Sequence, residues 1–369
     1  MRRLILAVAF LGVCSSAQAQ LGGILNKAQE QKGKLDELNI TEAEERTIGE
    51  DVSAKIRARF GVVQDAAVHK YVTLVGLSVA RESERPKLAW TFIVLDTDGV
   101  NAFASPGGLV HVTRGALGLM KNEAELAGVL AHEIGHVAHK HTANAIRKNK
   151  AVQMGTNAAT KDRSAVLHQL SNKAYEMVLE NAFDRGDELD ADKASVQYTL
   201  KAGYASATLA DFLTRLDERN KDQAERNGLF ASHPETKERI DKLRQMAGTK
   251  PGAAVEARYK GAIKYSAPAV TQISVVQEGS AGLAGSGSGK SAEKDDKDKK
   301  AEDPKKKGFG VGSLTQTVAP EKQTAQVSAS GGSRGLGADR AAKGGSNPSM
   351  VKIAAVTDAE VAAFKQALV

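Results

Sequence analysis

The sequence predicts an α+β protein that is mainly α. Three observations carry this expectation. Segments with helical spacing follow one another behind capping residues, only two short β-rich runs interrupt them, and 41% apolar against 26% charged residues in a chain of 369 is enough to bury a core. No apolar run approaches the roughly 18 residues of a membrane-spanning helix, so an integral membrane protein is not expected. The single cysteine, Cys14, excludes a disulfide scaffold and a cysteine-based zinc module.

The elements follow in chain order. A basic start at Arg2-Arg3, an apolar stretch over 4–13 and Ala17-Gln18-Ala19 read as a secretory signal peptide over 1–19, cleaved after Ala19. A lipoprotein signal at Cys14 is the lesser reading, because Val13 is bulky where that cleavage wants a small residue. The protein is therefore expected to be exported, most simply to a bacterial periplasm. After a lead-in over 20–40, Thr41-Glu42-Ala43-Glu44 is a capping-box pattern that opens a helix ending near Gly61. Asp65 opens another, with Val68, Tyr71, Val72, Val75 and Val79 at helical spacing. Residues 89–95 (AWTFIVL) and 108–113 (GLVHVT) are the two strand candidates, separated by a turn cluster at 96–99. Asn122 with Glu125 caps a long helix drawn through about residue 148. Further helices are expected near 164–182, 185–202, 206–220 and 235–246.

The ordered domain is placed at 41–249. Residues 250–349 turn glycine- and serine-rich with a dense Lys/Asp/Glu run at 290–307, a composition that cannot offset its own ordering entropy, so a disordered linker is expected. Residues 350–369 regain apolar side chains behind Thr357-Asp358 and are read as a short ordered segment that docks back on the domain. The net charge of +7 sits at the ends, since 20–249 carry 31 basic and 32 acidic side chains. A nucleic-acid enzyme would place its basic surface on the folded part, so no nucleic-acid partner is expected. The charged tail leaves room for weak contact with anionic envelope polymers and for peripheral outer-membrane association. A loose phosphate-loop pattern at 284–291 (AGSGSGKS) lacks its first glycine and a strand-and-helix frame, and is read as a chance match.

The chemistry is carried by Ala131-His132-Glu133-Ile134-Gly135-His136-Val137. In a helix, two histidines four apart project from one face about 6 Å apart along the axis, where their imidazoles can converge on one tetrahedral cation. Zn²⁺ suits two nitrogens plus a carboxylate. Glu133 stands about 100° round the helix from His132, flanking the metal without ligating it, where it can take a proton from an activated water. Five residues alone also fit an ordinary helix with two surface histidines. A zinc hydrolase needs a third protein ligand, and Glu188 and Asp192, four apart in Arg185-Gly186-Asp187-Glu188-Leu189-Asp190-Ala191-Asp192, share a helix face. One carboxylate can bind the metal while the other accepts a ring N–H of a liganding histidine. His139 is one turn beyond His136, and His141 points roughly opposite His132 on the helix as drawn. Neither is expected at the metal.

Four blocks in order, Asn101-Ala102-Phe103-Ala104-Ser105-Pro106-Gly107-Gly108, then 132–136, then Glu188-Leu189-Asp190-Ala191-Asp192, then Ser232-His233-Pro234 with Arg239-Ile240, resemble the gluzincin metallopeptidase family that includes the type-1 CAAX prenyl protease, HtpX and BepA. The resemblance is strongest to the soluble periplasmic branch. The family usually carries Glu where Asp190 stands, a departure that does not touch the implied ligand. The resemblance implies a zincin-like metallopeptidase domain with one Zn²⁺ per chain, held by His132, His136 and Glu188. It implies Glu133 as general base and acid and Asp192 behind a histidine. It makes Arg239 and His233 candidates for oxyanion stabilisation, with His233 alternatively holding the fourth zinc position in a latent enzyme. It also places 108–113 at the edge of a small sheet over the zinc, where a peptide would pair along Asn101, Gly108 and Val110. The implied function is a zinc-dependent metalloendopeptidase acting on unfolded or misassembled cell-envelope proteins. The alternative is a non-catalytic zinc-binding chaperone or assembly factor of the envelope, which the intact Glu133 disfavours.

Overall fold

A computed structural model describes residues 40–154, 163–180, 183–220, 236–248, 251–267 and 355–368. The signal peptide, most of the lead-in, His233, the 284–291 motif, the charged run and residues 350–354 of the C-terminal segment lie outside the described residues.

The described residues open with α1 (Glu42–Phe60), whose Thr41 and Glu44 form the capping box, and α2 (Ala66–Ala80), whose cap Asp65 accepts the Ala67 and Val68 amides. Three strands follow: β1 (Thr91–Leu95), β2 (Ala102–Ser105) and β3 (Leu109–Thr113). Their order is β1-β3-β2, with β1 parallel and β2 antiparallel to β3. Parallel β1 and β3 need a crossover, and β2 lies within it. His69 ties α2 to the sheet, because its Nε2 accepts the Val94 amide at 3.1 Å while Nδ1 donates to the Asp65 carbonyl at 3.0 Å.

Two expectations are corrected here. The strand 108–113 is the middle strand, not the edge. Val110 pairs with Phe92 on one side and Ala104 on the other, and Gly108 already accepts the Thr91 amide. Asn101 is buried, its carbonyl accepting the Thr113 amide and its own amide donating to Thr113 Oγ1, so none of these three residues offers a peptide a free edge. The strand beside the histidine helix is β2, four residues long and not among the two strand candidates. Its link to β3 passes under α1, where Gly107 (φ 72°) is required both by conformation and by space: a Cβ there would lie 2.6 Å from Arg46 Cα.

After α3 (Arg114–Leu119) comes α4 (Glu123–Ala138), capped by Asn122 and buried at all of its 16 residues. It does not run on to residue 148. Lys140 takes φ 58° and α5 (His141–Met154) starts in a new direction. A lysine in the left-handed region costs about 1–2 kcal/mol and carries no glycine to announce it. Next come α6 (Arg163–Glu180), α7 (Arg185–Ala202), α8 (Thr208–Asn220) and α9 (Thr236–Ala247). Helices α7, α8 and α2 pack round α4, and Gly135 sets the closest approach: a Cβ there would meet Ala194 Cβ at 3.0 Å and Ala191 Cα at 3.2 Å.

The folded part continues past 249. Ala253 bridges Tyr204, and α10 (Glu256–Ala262) buries Tyr259 and brings Arg258 to Glu123. Two isolated anchors, Tyr259 and Ile263, carry this packing, too few to stand out in a polar stretch. At the far end α11 (Asp358–Gln366), with a capping box of its own, lies on α2 through Lys70–Glu360 at 2.6 Å and Lys365–Glu82 at 2.7 Å. Among the described residues no helix is long and apolar enough to cross a membrane.

Candidate metal centre

Two helices build the site. His132 and His136 sit one turn apart on α4. Glu188 and Asp192 sit one turn apart on α7, which the Gly135 contact and a Ser195 Oγ bond to the Gly128 carbonyl (2.9 Å) hold against α4. All four are at most 3% exposed. His132 Nε2 and His136 Nε2 lie 3.1 Å apart, Glu188 Oε2 is 3.5 Å from the first and Glu188 Oε1 is 3.4 Å from the second. Tetrahedral zinc with ligands about 2.05 Å away requires ligand atoms about 3.3 Å apart, so this donor set fits the ion in spacing as well as in chemistry.

The other ring nitrogens are oriented from behind. His132 Nδ1 lies 3.1 Å from Asp192 Oδ1. Burial opposes charge on His132, but Asp192 and Glu188 outweigh it and push the imidazole up to about 9. Glu188 thus takes the front position and Asp192 the supporting one. Glu133 follows His132 on α4, 1% exposed and within the field of Arg239.

Arg239 from α9 differs from its expected part. Its Nε and Nη2 donate to the two Asp192 oxygens at 2.8 and 2.6 Å, and its Nη1 is 2.7 Å from Glu188 Oε2. Burial works against its charge, yet Glu188 and Asp192 raise its pKa further. The guanidinium clamps both carboxylates of α7.

Two contacts were not visible in the sequence. His141, discounted on a straight helix, is turned back by Lys140, so its Nδ1 lies 3.0 Å from His136 Nδ1 and its Nε2 is 3.2 Å from Asp190 Oδ2. Burial lowers its pKa despite Asp187 and Asp190. Phe183 lays its ring on His136 with centroids 4.1 Å apart. Its place just before the Asp184 cap of α7 could have suggested a buried anchor, but nothing pointed it at His136.

With this geometry in place, the comparisons with known proteins bear on it. The family model described as Peptidase family M48 matches residues 66–247. The chain is 24% identical over 215 residues to the beta-barrel assembly-enhancing protease of Yersinia pestis, covering 55% of this chain and 44% of that protein. It is 28% identical over 206 residues to the mitochondrial metalloendopeptidase OMA1 of Schizosaccharomyces pombe, 54% of this chain and 60% of that one. It is 32% identical over 152 residues to the metalloprotease YcaL of Escherichia coli K12, 40% of this chain and 58% of that one. The chain thus spans less than half the length of the first of these relatives. The resemblance drawn from the four blocks holds.

Proposed function

We propose, from the match of residues 66–247 to the family described as Peptidase family M48, that the protein is a zinc-dependent metalloendopeptidase. The observation that carries this reading is the spacing of His132, His136 and Glu188, three donors 3.1–3.5 Å apart with a glutamate next to the first. These three residues would hold the ion, which when bound supplies the Lewis acidity that polarises a scissile carbonyl and activates a water. Glu133 takes the proton of the attacking water and returns it to the leaving amine. Asp192 fixes the ring of His132, and Arg239 keeps Glu188 and Asp192 from repelling each other. His233 stays a candidate for the fourth position through its sequence block alone.

For substrates we propose unfolded or misassembled cell-envelope proteins, met after export to the periplasm. The leader-like residues 1–19 and the name of the Yersinia relative support this. A second reading, a zinc-binding assembly factor without turnover, is favoured by one observation: His132, Glu133, His136 and Glu188 are each at most 3% exposed, and Phe183 covers His136. Degradation of casein by the full chain separates the two. Cleavage that stops with a chelator and returns with zinc is expected, together with tightly held zinc that is lost in His132→Ala and Glu188→Ala. Intact casein beside zinc-loaded protein would give the function to the second reading.

A further inference from the structure

We propose that the junction of α4 and α5 forms a second binding site for a divalent cation such as Zn²⁺, made by His139 Nδ1, His141 Nε2 and Asp190, and that filling it disturbs the first. The ligand-capable atoms of these three residues all lie within 4.8 Å of one another. Asp190 Oδ2 touches His139 Nδ1 and is 3.2 Å from His141 Nε2, with Asp187 Oδ1 3.7 Å from the same nitrogen. Two imidazoles and a carboxylate suit borderline cations of the zinc type.

The surroundings are those of a cation site. His139 turns its remaining nitrogen, Nε2, to Glu84 Oε2 at 3.4 Å, the carboxylate support that liganding histidines use, and Tyr198 Oη donates to the same Glu84. Among the described residues neither Asp190 nor Glu84 meets a lysine or arginine, so their negative charge is left to the two histidines. Asp190 has 46% and His139 26% of its side chain exposed, which leaves an ion a path and waters room to complete its shell.

The coupling to the first site rests on the proposed function and follows from the two facing Nδ1 atoms of His136 and His141, 3.0 Å apart. A histidine holding zinc through Nε2 carries its proton on Nδ1, so a loaded His136 needs His141 Nδ1 as acceptor. A cation on His141 Nε2 moves that ring's proton to Nδ1, and two N–H groups then oppose each other. Losing such support behind a metal ligand typically costs about 10–100-fold in affinity or activity. Excess zinc should therefore inhibit.

The test is zinc titration of the full chain, counting bound equivalents, with His139→Asn as the probe variant and Asp190→Asn as a second should the first fold poorly. Wild type is expected to bind one tight and one weaker equivalent. His139→Asn should lose the weaker one, with inhibition by excess zinc needing at least about tenfold more metal. Glu188→Ala should lose the tight equivalent and keep the weaker. A single wild-type equivalent, unchanged in His139→Asn and absent in Glu188→Ala, would overturn the second site and leave the proposed function standing. A single equivalent that survives Glu188→Ala and vanishes in His139→Asn would support the second site and sink the first.

Discussion

The two ends of α4 both bury carboxylates, and they treat them in opposite ways. At the first turn, Glu123 accepts hydrogen bonds from Tyr71 Oη (2.7 Å), Tyr204 Oη (2.7 Å) and Arg258 Nε (2.6 Å), so every partner of this fully buried acid is a donor. At the last turns, imidazole nitrogens and Glu188 oxygens face one another, acceptor toward acceptor, at 3.1–3.5 Å. The first arrangement is a closed set of hydrogen bonds that locks α2, α4, α10 and the turn after α7 together. The second leaves facing lone pairs that a shared cation would join, with Arg239 supporting Glu188 from one side. Burial of polar groups does not by itself mark a site; a convergence of lone pairs does.

Four substitutions break or sharpen this contrast, in falling order of effect. Glu133→Gln should cut peptide-bond cleavage by about 10²–10⁴-fold while metal content and melting temperature stay near wild type, because only a proton carrier is removed. A variant that keeps more than a tenth of its kcat would take the general base away from Glu133. Glu123→Ala, at the other end of the same helix, should cost about 3–5 kcal/mol by denaturant unfolding, since it strands two buried hydroxyls and an arginine. The molecules that stay folded should hold zinc normally, and parallel loss of metal and stability would dissolve the distinction drawn above. Asp192→Asn should weaken zinc by about 10–100-fold in competition with a chelating dye, as loss of support behind a liganding histidine does. Gly135→Ala should cost about 1–3 kcal/mol by pressing α7 away at Ala191 and Ala194. Its zinc affinity should fall with its melting temperature, because the same approach carries Glu188; a stable variant with unchanged affinity would show that α7 has slack.

Much of this was legible in the chain. Thr41, Asp65, Asn122 and Thr357 announce their helices by side-chain chemistry that acts within three residues. The pairs His132/His136 and Glu188/Asp192 declare shared faces through the helical period alone. The misreadings share a cause. The break at Lys140 has no glycine, so periodicity carried the helix through it and turned His141 away from the site. Strand order is a property of pairing between segments, and nothing within Leu109–Thr113 says that β2 will come to lie on its other side. Residues 251–267 look like the polar tail they lead into, because Tyr259 and Ile263 are too sparse to form a pattern. The resemblance put Arg239 at the oxyanion, and its clamp on Glu188 and Asp192 exists only where α9 meets α7.

What the sequence determined by itself is the chemistry: which donors exist, that two imidazoles share one helix face and two carboxylates another, and that a glutamate stands beside the first histidine. Such statements depend on a period of 3.6 residues and on side-chain type, which are local. The tertiary structure decided which carboxylate stands forward, that Arg239 clamps both, that β3 is enclosed, and that His141 returns to His136. Those outcomes depend on how closely separate segments approach, and that is set by a missing Cβ at Gly135 and one strained dihedral at Lys140.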